Sequence, residues 1–137
     1  MKTALLENRS IVIADDDAQF GAYLQDLLES WGCSVYLAID GAEALLLLES
    51  AQPDLVLTDL SMPTADGLEV IMGIRRINPD LPVIAMSGAF ESRNEAYLGV
   101  SKKLGANLVL AKPFTAGQLR EAMEVLLPGD GVLTGQC

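Results

Sequence analysis

Histidine does not occur anywhere in this 137-residue sequence. That absence removes several chemistries together, because a Ser-His-Asp or Cys-His hydrolase, a His-ligated zinc site and a phosphohistidine carrier all need an imidazole. Any phosphoryl group held covalently here must sit on another residue type. Cysteine is nearly as scarce. Cys33 lies beside an apolar strand and Cys137 ends the sequence, so the pair is expected as two free thiols in a reducing compartment. Basic residues are few, with 9 Lys and Arg against 19 Asp and Glu. The resulting net charge of −10 repels a phosphate backbone, so no direct nucleic-acid binding is expected. Long apolar runs are missing too: the longest, Ala44 to Leu48, falls far short of the roughly 18 residues of a membrane span. Met1 to Ser10 contains Lys2, Glu7 and Arg9 and lacks the apolar stretch of a secretory signal. The chain therefore reads as cytoplasmic and soluble, with no membrane partner, and its acidity serves at least solubility.

What is present is a chain that is 50% apolar, enough for one domain with a single core. Strand-like and helix-like segments alternate throughout. Ile11 to Ala14 is a short, wholly apolar run, as a strand covered on both faces should be. Ala18 to Ser30 carries Phe20, Tyr23, Leu24, Leu27 and Leu28 at helical spacing and stops at Gly32. Ser34 to Ala38 is a second strand, and Asp40 caps a helix from about Gly41 to Ser50. Pro53 precedes a third strand, Leu55 to Thr58, that delivers Asp59. After a loop with Pro63 and Gly67, a helix runs to about Asn78, where Asn78-Pro79-Asp80 turns the chain. Pro82 to Ser87 is the fourth strand, Ser92 to Leu104 the fourth helix, Leu108 to Ala111 the fifth strand and Thr115 to Leu127 the fifth helix. The expected units are a domain over residues 10–127, a short N-terminal extension over 1–9, and a tail or start of a linker over 128–137.

Five strand–helix repeats predict an α/β fold with a parallel sheet and helices on both faces. Such doubly wound sheets place their site at the carboxyl ends of the strands. Those ends carry Asp15, Asp16 and Asp17 (first), Asp59 (third), Ser87 (fourth) and Lys112 (fifth). Clustered carboxylates repel and have raised pKa values unless a cation neutralises them. Mg²⁺ suits such a set, because it takes a few carboxylate oxygens together with water and phosphate oxygen. A carboxylate beside Mg²⁺ is also a competent phosphoryl acceptor, and a hydroxyl such as Ser87 and an ammonium such as Lys112 can hold phosphoryl oxygens. Taken singly, each feature has a plainer explanation. Asp15 to Asp17 could be a solvated turn with Asp17 as a helix cap, Asp59 or Ser87-Gly88 a turn, Lys112 a surface lysine, and Met62-Pro63 with Asp66-Gly67 shapers of a loop.

Taken in order, the motifs carry a resemblance. Ile11-Val-Ile-Ala-Asp-Asp-Asp17, Asp54-Leu-Val-Leu-Thr-Asp-Leu-Ser-Met-Pro63 with Asp66-Gly67, Pro82-Val-Ile-Ala-Met-Ser-Gly88, Gly105-Ala106 and Lys112-Pro-Phe114 resemble the response-regulator receiver family of two-component signalling, of the chemotaxis-regulator-like kind. The likeness runs from about Ser10 to Leu127. It implies a flavodoxin-like (βα)5 sheet in the order 2-1-3-4-5. It also implies that Asp59 accepts a phosphoryl group from a phosphohistidine on a sensor histidine kinase or a histidine phosphotransfer protein. In that reading Asp16 binds Mg²⁺ directly, Asp15 helps through water, Asp59 shares the metal, and Ser61 offers its backbone carbonyl. Ser87 is the switch hydroxyl, Lys112 pairs with the phosphoryl oxygens, and Lys112-Pro113 is cis. Phosphorylation would switch binding of a downstream output protein or domain through the face of the fourth helix, fifth strand and fifth helix, with a homodimer through that face as a further option. No turnover enzyme is expected, only self-phosphorylation and slow self-dephosphorylation.

Two departures from the family pattern stand out. An aromatic residue often lies three positions before the lysine, but here it is Val109, so the usual serine–aromatic coupling should be absent or muted. No DNA-binding or enzymatic domain follows Leu127, which suits either a stand-alone receiver or one piece of a longer chain. Two rival functions remain. A haloacid-dehalogenase-like phosphohydrolase also uses a strand-end Asp and Mg²⁺, but it wants a second Asp two positions on, and Asp59-Leu60-Ser61 lacks it. A pseudo-receiver would bind partners without being phosphorylated.

Overall fold

The computed structural model describes residues 6–61 and 67–127, apart from the side chains of residues 89 and 90. Its five strands are β1 (Ser10–Ala14), β2 (Ser34–Ala38), β3 (Leu55–Asp59), β4 (Val83–Ser87) and β5 (Leu108–Ala111). They form one parallel sheet in the order β2-β1-β3-β4-β5, as expected. The helices are α1 (Ala18–Ser30), α2 (Gly41–Ala51), α3 (Gly67–Ile77), α4 (Glu95–Leu104) and α5 (Ala116–Leu126), with a single helical turn at Ala89–Ser92. Cys33 is buried and in no disulfide, while Cys137 lies outside the described residues. Among the described residues no helix is long and apolar enough to cross a membrane.

The sheet divides the core in two because successive side chains of a strand point to opposite faces. Val12, Ala14, Val56, Val83 and Ala85 meet Ala44 and Leu48 of α2 and Val70, Ile71 and Ile74 of α3, with Tyr97, Leu98 and Leu104 of α4 packed at the margin. Ile11, Ile13, Leu55, Leu57, Ile84 and Met86 meet Leu24 and Leu28 of α1 and Leu119 and Met123 of α5 on the other face. The central strands β3 and β4 are buried along their whole length, which accounts for their unbroken apolar runs.

Caps set the helix starts. Asp17 accepts from the N–H groups of Gln19 and Phe20, Asp40 from that of Glu43, and Thr115 forms a capping box with Gln118. One boundary differs from the sequence reading by more than a residue. The fourth helix does not run from Ser92 but breaks after the single turn, because Asn94 takes an extended conformation and caps α4 through the N–H of Tyr97. Gly105 then ends α4 at a φ of 134°, where a side chain would be strained and would run into Arg75. Arg75 fastens this edge, donating to the carbonyls of Leu81 at 2.6 Å and Gly105 at 2.7 Å and to Asn107 Oδ1 at 2.9 Å.

Candidate functional site

The strand ends converge as topology requires, since β1 and β3 are neighbours and β4 and β5 continue the sheet beside them. Asp15 follows β1, and its main-chain N–H donates to Ala38 of β2. Asp59 is the last residue of β3 and pairs in register with Met86, one step before Ser87. Lys112 follows β5, and its main-chain N–H donates to the Ser87 carbonyl at 2.8 Å. The Lys112–Pro113 bond is cis.

One carboxylate oxygen from each of Asp15, Asp16 and Asp59 lies within 4.8 Å of the others. Asp15 and Asp59 are buried, at 4% and 5% exposed, whereas Asp16 faces solvent. Lys112 Nζ donates to Asp15 Oδ2 at 2.9 Å and sits 3.5 Å from Asp59 Oδ2. The second oxygens are used locally: Asp15 Oδ1 accepts from the N–H of Asp17 and Asp59 Oδ1 from that of Ser61. Asp17 turns away to cap α1, as the sequence suggested.

Burial is the main reason that the Asp59 carboxyl is pushed up to about 6, and the charge of Asp15 adds to it; the ammonium of Lys112 and the Ser61 N–H pull the other way. For Lys112, burial acts against the charged form, but the hydrogen bond to Asp15 and the charge of Asp59 outweigh it and hold its pKa above the usual lysine range. The two directions agree once the distances are compared. Lys112 is bonded to Asp15, and Asp59 stands farther from the ammonium while facing a second carboxylate. One lysine shared by two buried carboxylates leaves negative charge uncompensated, and that is the electrostatic character of the site.

Three contacts were not legible in the sequence. Phe20 of α1 places its ring 4.4 Å from Lys112 Nζ and meets Phe114 edge-on at 5.8 Å, so the ammonium sits over an aromatic face. Ser87 Oγ lies 2.8 Å from Ser92 Oγ. Tyr97 donates its hydroxyl to the carbonyl of Leu60, the residue after Asp59, at 3.4 Å. Phe20 sits on the inner stripe of an amphipathic helix and could have been flagged; the other two depend on how the loop after β4 folds. Of the loop residues named earlier, 62–66 lie outside the described residues. Gly67 is explained by close approach, since a Cβ there would stand 2.5 Å from Leu60 Cα. A cavity of about 480 Å³ at the opposite edge of the sheet, lined by Leu48, Glu49, Gln52, Pro53, Ile77, Asn78 and Leu81, gathers no comparable set of charges.

A (βα)5 sheet of this order with an acidic pocket at its carboxyl edge is the architecture of CheY-like receiver domains. The chain belongs to the response regulator receiver domain family, whose model matches residues 11–124. It is 40% identical over 125 residues to the response regulator MprA of Mycolicibacterium vanbaalenii, a match covering 88% of this chain and 53% of that protein. The chain thus spans about half the length of the curated relatives it matches. Its fold superposes on a response regulator receiver domain protein from Clostridium thermocellum with a TM-score of 0.79 at 29% identity, over 87% of this chain and 94% of that one. A CheY-like receiver domain protein from Methanospirillum hungatei gives 0.80 at 26% identity, over 88% and 94%. Receiver domains are modules of two-component signalling, not classical enzymes.

Proposed function

We propose that this chain takes a phosphoryl group onto Asp59 from a phosphohistidine on a histidine kinase or phosphotransfer protein, and switches partner binding in response. The observation that carries this reading is the Asp59 carboxylate itself, buried at a strand end, 3.5 Å from a lysine ammonium and grouped with Asp15 and Asp16. Three hard oxygen donors with uncompensated charge fit Mg²⁺, and Asp15, Asp16, Asp59 and the Ser61 carbonyl would hold it. When bound, the cation supplies charge neutralisation for the carboxylates and the incoming phosphoryl group.

The remaining chemistry belongs to the chain. With its carboxyl near 6, Asp59 is mostly ionised at neutral pH and can act as nucleophile. An oxygen of Asp59 forms the new bond to phosphorus as the phosphorus–nitrogen bond breaks, and the electron pair leaves with the imidazole. Lys112 is already poised between Asp15 and Asp59, and its ammonium pairs with the phosphoryl oxygens that replace part of the carboxylate charge. Ser87 supplies the hydroxyl that follows the phosphoryl group and carries the change to α4, β5 and α5.

Incubation with acetyl phosphate and Mg²⁺ tests this. The chain should accumulate a base-labile acyl phosphate seen by mass spectrometry, and Asp59→Asn should not. Rapid release of phosphate with no acyl phosphate accumulating would indicate a hydrolase, and an inert chain a pseudo-receiver. Full phosphoryl occupancy in Asp59→Asn would show that the acceptor is misassigned.

A further inference from the structure

We propose that Ser92 is a positioning residue for the switch: its hydroxyl holds that of Ser87 inside the β4–α4 loop, and this bond must break before Ser87 can serve a phosphoryl group. The proposal rests on the role given to Ser87 above. The loop closes on itself through short-range bonds. Ser87 Oγ and Ser92 Oγ are 2.8 Å apart, the Gly88 N–H donates to Glu91 Oε1 at 3.0 Å, and the Ser92 N–H donates to the Gly88 carbonyl at 2.9 Å. Glu91 is itself buried, so its bond to Gly88 closes the turn from inside.

The main chain of Ser87 is fixed on the other side by the N–H of Lys112. Its side chain is then the part that can change partner, by rotation about χ1. At 1% exposure, Ser87 has little access to water that could replace the bond to Ser92. A hydroxyl carries one proton. Given to Ser92, that proton is withheld from a phosphoryl oxygen, and resting and engaged states compete for one donor. With Ser92 as the donor instead, Ser87 would keep its proton and the loop would support engagement. The sign of a Ser92→Ala effect separates these polarities, and the proposal is the competing one.

The test titrates the 137-residue chain with beryllofluoride, a phosphoryl mimic, in the presence of Mg²⁺, following amide shifts from Gly88 to Asn94 and at Lys112. Ser92→Ala should bind the mimic about 2- to 10-fold more tightly, the range that loss of one competing hydrogen bond allows. Ser92→Thr, which keeps the hydroxyl, should bind as the unaltered chain does. In a Ser87→Ala background, Ser92→Ala should bring no gain. Weaker binding by Ser92→Ala, no change, or an equal gain without the Ser87 hydroxyl would each overturn the proposal. A chain that ignores beryllofluoride, or an Asp59→Asn variant that takes it, would instead bring down the receiver reading and the proposal with it.

Discussion

Replacing Asp59 by Asn should make the metal-free chain more stable at neutral and alkaline pH. Asp59 is 5% exposed, beside Asp15, and its carboxyl is pushed from 3.8 to about 6. In the folded chain it therefore holds its proton between about pH 4 and 6, where the unfolded chain has lost it. The fold binds more protons over that window, so stability falls as pH rises through it. A displacement of about two pKa units corresponds to about 3 kcal/mol lost above pH 6, at 1.36 kcal/mol per unit. Asn has nearly the same shape, can still accept from the Ser61 N–H, and leaves Lys112 wholly to Asp15. Urea unfolding in EDTA should give the variant an advantage of about 1–3 kcal/mol at pH 8, shrinking toward zero near pH 4, where the unaltered chain is protonated. Subtracting the two chains at each pH removes the titration of the other carboxylates. Millimolar Mg²⁺ should narrow the gap, because a cation bound only by the folded, charged site stabilises it by mass action. A gap of opposite sign at pH 8, or one that does not change with pH, would refute the electrostatic picture of the site.

The other expectations are shorter. In a Mg²⁺ titration Asp16→Ala should weaken binding more than Asp17→Ala, since Asp16 stands in the carboxylate group and Asp17 caps α1; equal effects would show the ligand misplaced. Arg75→Met keeps the stem but strips the donors from the Leu81 and Gly105 carbonyls, and should cost about 2–3 kcal/mol in urea unfolding, with a loss under about 0.5 kcal/mol counting against that role. Val109→Ala should barely alter phosphorylation-dependent partner binding, while Ser87→Ala should greatly reduce it; a phosphorylated Val109→Ala chain with no response at the α4–β5–α5 face would contradict this.

Much of the fold was legible because its signals are local. The apolar runs of β3 and β4 are what strands buried on both faces carry, and Asp17 and Asp40 are caps whose partners lie within three residues. The grouping of Asp15, Asp16 and Asp59 with Lys112 followed from topology, since residues at the carboxyl ends of adjacent parallel strands must meet at one rim. Illegible features depended on a choice that the sequence left open. Ser92 reads as a helix start, and Asn94 as an interior residue, until the chain spends Asn94 on the cap of α4. That choice turns Ser92 toward Ser87 and sets Tyr97 where its hydroxyl meets the Leu60 carbonyl.

Tyr97 also changes how Val109 is understood. Because β5 offers only a valine at this position, no ring is expected beside Ser87. The structure packs both Val109 and Tyr97 at the margin of the core that contains Leu60, with the aromatic residue arriving from α4. The hydroxyl of Tyr97 ends one residue beyond Asp59, while that of Ser92 ends on Ser87. The Ser87 side chain and the main chain just after Asp59 are thus each met by a hydroxyl from the segment between β4 and the first turn of α4. Displacement of this segment must disturb Ser87 and the main chain after Asp59 together, although neither bond crosses β5. If Asp59 is the acceptor as proposed, these two hydroxyl contacts offer routes from it to α4 that need no aromatic residue at position 109.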